Sequence, residues 1–139
     1  MRKAFIPLLF FSLFLILPAS AQVTVSIGDI EASPGESITA PIMINNVINY
    51  GTGTINLTYD PSVVHVTNVT STADSPFVTA NIDNETGYVL ISAMNTMGVS
   101  GDIAFANVTF KAVGSPDDVS DLNIEIVTLK DTSFNELLP

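Results

Sequence analysis

The chain has 139 residues, no cysteine and a formal net charge of −10. This excludes a disulfide framework, a thiolate metal centre, and recognition of nucleic acid or anionic lipid through a general positive field. The length suits one domain, and with no disulfide its stability must come from packing.

The first element is a leader. Arg2 and Lys3 precede an almost wholly apolar run from Ala4 to Leu17, and Ala19-Ser20-Ala21 is a small-x-small cleavage site. Residues 1–21 therefore read as a secretory signal peptide. The apolar run is short for a spanning helix, which needs about 20 residues. No membrane span is expected in the mature chain, residues 22–139. Removing the leader leaves two lysines against all fourteen acids, a net charge of −12. The expected location is extracellular or at the cell surface.

The mature chain reads as all-β. Val23, Val25 and Ile27 alternate with Thr24 and Ser26 to give a first strand. Ser33-Pro34-Gly35-Glu36 is a turn. Ile38, Ala40, Ile42 and Ile44 then alternate with Thr39, Pro41, Met43 and Asn45. Pro41 lacks an N–H and belongs at an edge, a bulge or a strand switch. A third strand carries Ile55, Leu57 and Tyr59 on one face and Thr54, Asn56 and Thr58 on the other. Asp60-Pro61 ends it: the carboxylate can cap the next turn and proline fixes φ for its first residue. Val64 and Val66 resume the inward face.

Further strands are predicted at Phe77–Ile82, Tyr88–Met94, Ile103–Ala112 and Leu122–Leu129, with loops at 83–87, 98–102 and 114–121. No window has a helical period with caps. About eight short strands with regular turns predict a β-sandwich with jelly-roll topology in one module.

Catalytic chemistry finds little support. His65 is the single histidine, in a strand opposite Val64 and Val66, and is expected toward solvent or a sheet edge. No Gly-x-Ser-x-Gly elbow presents a nucleophile. Asp29 with Glu31, and Asp117 with Asp118, are carboxylate pairs in loops without a glycosidase signature. Asp117, Asp118 and Asp121 have oxygen ligands suited to calcium, but acidic loops are common in so acidic a chain. Asp83-Asn84-Glu85-Thr86-Gly87 lacks the order of a calcium loop and reads as an acidic turn. No enzyme activity, cofactor or metal is expected. Four Asn-x-Thr sequons, at Asn56, Asn68, Asn84 and Asn107, are candidate N-glycosylation sites. Parity and turn context expose Asn56, Asn84 and Asn107. Asn68 shares the parity of Val64 and Val66 unless the strand ends or bulges there.

Three segments together resemble the cohesin domain, the receptor module of cellulosome scaffolds. V-T-V-S-I-G-D-I-E-A-S-P-G-E-S-I-T-A-P-I-M-I from Val23 looks like the family's first strand, Pro-Gly-Glu turn and second strand. G-T-I-N-L-T-Y-D-P-S-V-V-H-V-T-N-V carries the Tyr-Asp-Pro corner, the most specific piece. G-D-I-A-F-A-N-V-T-F-K-A-V-G is similar to the penultimate core strand. The resemblance implies a flattened jelly roll that docks dockerins, small calcium-loaded helical modules, through one sheet face. On that face it points to Thr52, Thr54, Asn56 and Thr58, with Tyr88, Leu90 and Ser92 beside them. The family often has Asn or Asp where Thr52 and Thr54 stand. It also implies a final strand beside the first, which is expected to be missing because Glu136–Pro139 is too short to supply it. Polysaccharide would be reached indirectly through the partner. Two alternatives stand beside it: a carbohydrate-binding module, whose fold is akin but which the absence of Trp disfavours, and a structural cell-surface or adhesin domain, which the sequons and acidity would suit equally.

Overall fold

The computed structural model describes residues 20–138. The expected leader thus lies almost wholly outside the described residues. Every named element is a strand: β1 (Thr24–Ile27), β2 (Ser37–Thr58), β3 (Val64–Thr70), β4 (Phe77–Asp83), β5 (Tyr88–Ala112) and β6 (Asn123–Asp131). All pairings are antiparallel. Among the described residues no helix is long and apolar enough to cross a membrane.

Two strands make the sandwich. β2 runs for 22 residues and β5 for 25, far beyond the five or six of a usual strand. Their first arms and last arms lie in different layers. Ser37–Val47 of β2 pairs with Gly101–Lys111 of β5, flanked by β1 and β3. Thr52–Thr58 pairs with Tyr88–Met94, flanked by β6 and β4. Each layer thus has four arms, which accounts for the expected eight.

Sequence reading divided β2 and β5 into separate strands and placed a loop at 98–102. The structure instead carries both chains through the change of layer. Successive register shifts between Ile44 and Thr52 bend the ladder. Asn46, Asn49, Gly98 and Gly101 all take positive φ there. These residue types tolerate that region, so what looked like strand breakers are bulge formers. Pro41 sits one residue beyond the end of the β1 pairing, next to the shift between Ile42 and Met43, where no β1 carbonyl waits for its missing N–H.

The core follows the alternation. Ile42, Ile44, Val108 and Phe110 from one layer face Ile55, Leu57, Val89 and Ile91 from the other, all buried. Tyr50 lies at the bend of β2, fully buried, with its ring edge-on to Phe105 at 6.2 Å. Its hydroxyl accepts a 3.2 Å bond from the buried Ser75 hydroxyl. Burial pushes the Tyr50 phenol up to about 12.

The Tyr-Asp-Pro corner is held from three sides. The Asp60 carboxylate accepts from the Ser62 N–H at 2.9 Å and the Ser62 hydroxyl at 2.6 Å, which holds its pKa below the usual range. The Tyr59 N–H donates to the Gly87 carbonyl at 2.9 Å. The Tyr59 hydroxyl donates to Asn84 Oδ1 at 2.6 Å. Asn84 itself reaches inward: Oδ1 accepts from the Val66 N–H at 2.9 Å and Nδ2 donates to the Val66 carbonyl at 2.8 Å. One amide thus ties β2, β3 and the turn after β4 together. Gly87, at φ 73°, passes so close to Tyr59 that an added Cβ would overlap the Tyr59 carbonyl oxygen.

Asn84→Ala should lower the unfolding free energy by about 2–4 kcal/mol, because it strands both backbone groups of Val66 and the Tyr59 hydroxyl. Tyr59→Phe should lower it by about 1 kcal/mol and Tyr59→Ala by about 3–5 kcal/mol. Urea denaturation checks the ranking. A larger loss from Tyr59→Phe than from Asn84→Ala would overturn it.

Ionisation sets the two pH limits. Asp60, Asp83 and Asp131 have folded pKa values below their ordinary value. Their contribution is present above about pH 4 and fades as pH falls through the folded values. The raised Tyr50 pKa works in the opposite sense: its contribution is complete below about pH 10 and is lost as pH rises toward 12. Melting temperatures should therefore fall below about pH 4 and above about pH 10. An ultraviolet phenolate titration should show one tyrosine ionising last, close to unfolding.

Candidate partner-binding face

The outer surface of the β6–β2–β5–β4 layer is built by period-two alternation. Gly53, Ile55, Leu57 and Tyr59 turn inward and are buried, which turns Thr52, Thr54, Asn56 and Thr58 outward. On β5, buried Val89, Ile91 and Ala93 alternate with Tyr88, Leu90 and Ser92. The register sets Thr58 opposite Tyr88, Asn56 opposite Leu90 and Thr54 opposite Ser92. All seven residues singled out from the sequence thus share one face.

The same register shows what sequence reading missed. Met94 follows Ser92 in parity and lies opposite Thr52. Phe77, Thr79, Asn81 and Asp83 of β4 extend the four rows on one side, and Asn123, Glu125, Thr128 and Lys130 of β6 extend them on the other. Continuing the parity past Ser92 would have found Met94. The β6 residues depend on a bulge after Thr54, which no local pattern announces.

The centre is flat and polar. The Thr54 and Ser92 hydroxyls are 3.0 Å apart, and the Thr52 hydroxyl donates to the Ala93 carbonyl at 3.3 Å. Asn56 was expected to be exposed, but it is half-buried between its neighbours. Its Nδ2 donates to Glu125 Oε2 at 3.4 Å, and its Oδ1 is buried without a partner.

The rim is uneven. At one corner Phe77 and Met94 are 58% and 42% exposed and line a shallow hollow of about 230 Å³ with Thr52, Val78, Thr79, Ser92 and Ala93. At the opposite end Asp83 and Glu125 flank the face. The hydroxyl and N–H of Thr86 and the N–H of Glu85 bond the Asp83 carboxylate and hold its pKa below the ordinary value. Beyond them a polar depression of about 320 Å³ runs from Thr58 to Asp121 and Ser120. Lys130 is committed to Glu136 at 3.0 Å.

Among the described residues no catalytic geometry is assembled. His65 is half-buried on β3, paired with Lys111 of β5, and both lie in the layer that does not carry this face. Among the described residues no three His, Asp or Glu side chains converge as a metal site requires. The Asp83 and Asp118 carboxylates cap their own loops instead.

The family model for the cohesin domain matches residues 23–135. The chain belongs to the cohesin domain family. Cohesin domains are non-catalytic binding modules, and the flat face described above lies on such a module. The fold also matches a non-cellulosomal cohesin from the hyperthermophilic archaeon Archaeoglobus fulgidus, with TM-score 0.71 and 24% identity over 84% of this chain and 83% of that one. A type I cohesin in a cohesin–dockerin complex from Clostridium thermocellum aligns with TM-score 0.73 and 17% identity, over 86% of this chain and 93% of that one. The sixth cohesin of Acetivibrio cellulolyticus scaffoldin B, in complex with a mutant Cel5 dockerin, gives 0.71 and 18% over 85% and 92%. No curated protein matches the chain.

The orphaned Asn56 acceptor makes a stability prediction. Asn56→Thr removes the buried unpaired group and adds a residue that favours strands, so it should raise the unfolding free energy by about 0.5–1 kcal/mol. Ile55→Ala next to it, on the core side, should lower it by about 2–5 kcal/mol. Denaturation midpoints check both. A clear loss from Asn56→Thr would mean that its amide is satisfied in solution.

Proposed function

We propose that this cohesin is secreted and docks a calcium-loaded dockerin through the outer face of the β6–β2–β5–β4 layer. The match to the cohesin family over residues 23–135 carries the reading. It is supported by structural neighbours solved in complex with dockerins. The leader-like residues 1–21 support export. The face offers what a docking surface needs: hydroxyls for hydrogen bonds at its centre, an apolar corner at Phe77 and Met94, and carboxylates at one end. A net negative chain suits a partner that carries cations. Thr52, Thr54, Asn56, Thr58, Tyr88, Leu90 and Ser92 are the contact residues, with Phe77 and Met94 beside them.

The host assembly need not be a cellulosome, since a non-cellulosomal cohesin is among the structural neighbours. Direct polysaccharide binding is the weaker reading. Tyr88 and Phe77 lie at opposite ends of the face, about 20 Å apart along the strands, so they cannot stack adjacent sugar rings.

Calorimetry against a panel of calcium-loaded dockerins, including the Cel5 and Clostridium thermocellum partners, tests the proposal. Binding should appear with calcium and vanish with a chelator, and a glycan array should stay blank. Glycan binding without any dockerin binding would overturn the reading. Thr54→Arg and Leu90→Glu should each weaken the captured dockerin at least tenfold, about 1.4 kcal/mol. Their melting temperatures should shift by no more than about 2 °C, because both side chains leave the core untouched. Unchanged affinity in both variants would move the interface off this face.

A further inference from the structure

The four sequons are not equivalent once folded. The expected exposure of Asn56, Asn84 and Asn107 is not found; each is half-buried. Asn84 has spent its amide on both backbone groups of Val66. A sugar on Nδ2 takes the position cis to Oδ1, because secondary amides are trans. That position is where Nδ2 now points its hydrogen at the Val66 carbonyl, so a glycan and this bond exclude each other. Asn56 is held by Glu125 with its Oδ1 buried. Asn107 lies inside β5 between β2 and β3, and the Thr109 hydroxyl of its sequon is bonded to the Thr39 hydroxyl at 2.8 Å.

Asn68 is different. A register shift between Val66 and Asn68 sets two residues, Thr67 and Asn68, against Thr109. This bulge turns Asn68 out of the inward parity of Val66, and it is exposed. Neither its amide nor the Thr70 hydroxyl has a side-chain hydrogen bond among the described residues, and Thr70 is exposed too.

The position has a use. β3 is the edge of its layer, with β5 as its strand partner. A free edge can pair with a strand of another chain. At Val66 that edge is already closed, because its N–H and carbonyl are taken by Asn84. Two residues on, Asn68 is exposed and no such side-chain cap is present among the described residues.

We propose that Asn68 is the N-glycosylation site of this chain and that its sugar shields the open part of the β3 edge. Asn68 Nδ2 attacks C1 of a lipid-linked oligosaccharide phosphate. The N–C1 bond forms, the C1–O bond to phosphate breaks, the phosphate leaves with the bonding electrons, and the proton lost by the amide passes to the surrounding water. β3 belongs to the layer opposite the proposed docking face, so the glycan leaves that face open. The site stands on its own geometry and does not depend on dockerin binding.

The test is secretion of the full chain from an N-glycosylating host, followed by glycopeptide mass spectrometry of the folded product. Sugar should be found on Asn68, and Asn84 should be bare. A bare Asn68, or a folded form glycosylated at Asn84, would overturn the assignment. Thr70→Ala removes the acceptor sequence while leaving Asn68 in place. It should abolish the added mass, keep the melting transition, and at least double concentration-dependent association in light scattering. Loss of the sugar with unchanged association would overturn the shielding role.

Discussion

Everything in this fold depends on two strands bending together without losing their ladder. β2 and β5 are partners before the bend and after it, so the same pair supplies the middle of both layers. The bend needs backbone that ordinary residues resist. Asn46 and Asn49 supply it on β2, and Gly98 and Gly101 on β5. Asn49 also joins the two sides, with its N–H on the Ser100 hydroxyl and its amide on the Thr132 hydroxyl. β6 can reach the bend only because residue 51 is glycine, since a Cβ there would lie 2.7 Å from the Asp131 backbone. Tyr50 fills the inside of the bend with its ring against Phe105. A fault here would open both layers at once, whereas a fault in β1 or β3 would fray one edge.

The parity of the strands was legible in the sequence, and their continuity was not. Alternation around Ile55, Leu57 and Tyr59 placed the inward and outward faces correctly, and the family resemblance joined them into a jelly roll. The bend was read as loops because Asn and Gly serve bulges and turns alike. Only the partner across the sheet decides between them, and that partner is some 50 residues away in the register. Asn84 shows the same limit. Its acidic, glycine-closed setting gives the signal of an exposed turn, and the turn is real. What the amide does is fixed by Val66, on another strand. Asn56 was placed on the right face, but its burial depends on Glu125 and Leu90, which no local pattern brings to it. For Asn68, parity and bulge could be weighed only as alternatives until the register was known.

The outer face can vary because the fold asks so little of it. Threonine and serine at its centre satisfy their hydroxyls among themselves or on the sheet, which keeps the surface flat and avoids a large apolar patch. Stability resides in the inward set, which is almost wholly apolar. The division follows directly from a period of two: one residue in each pair answers to the core, and the next answers to whatever lies outside. The fold is shared with neighbours at 17–24% identity, so likeness at this level reflects the fold and leaves the outward residues free to differ.

The two layers divide the surface as well as the core. The β6–β2–β5–β4 face carries the hydroxyls, the apolar corner and the acidic end. A tethered sugar or a stray strand there would cover all three. In the opposite layer the edge strand β3 is bulged and, at Val66, capped by a side-chain amide that imitates a neighbouring strand. An amide that spends both its groups on one residue of an edge does for that residue what a further strand would do, without offering a new edge of its own. The outward polar face therefore stays uncovered, while at Val66 the ladder is closed by a device that needs no further chain.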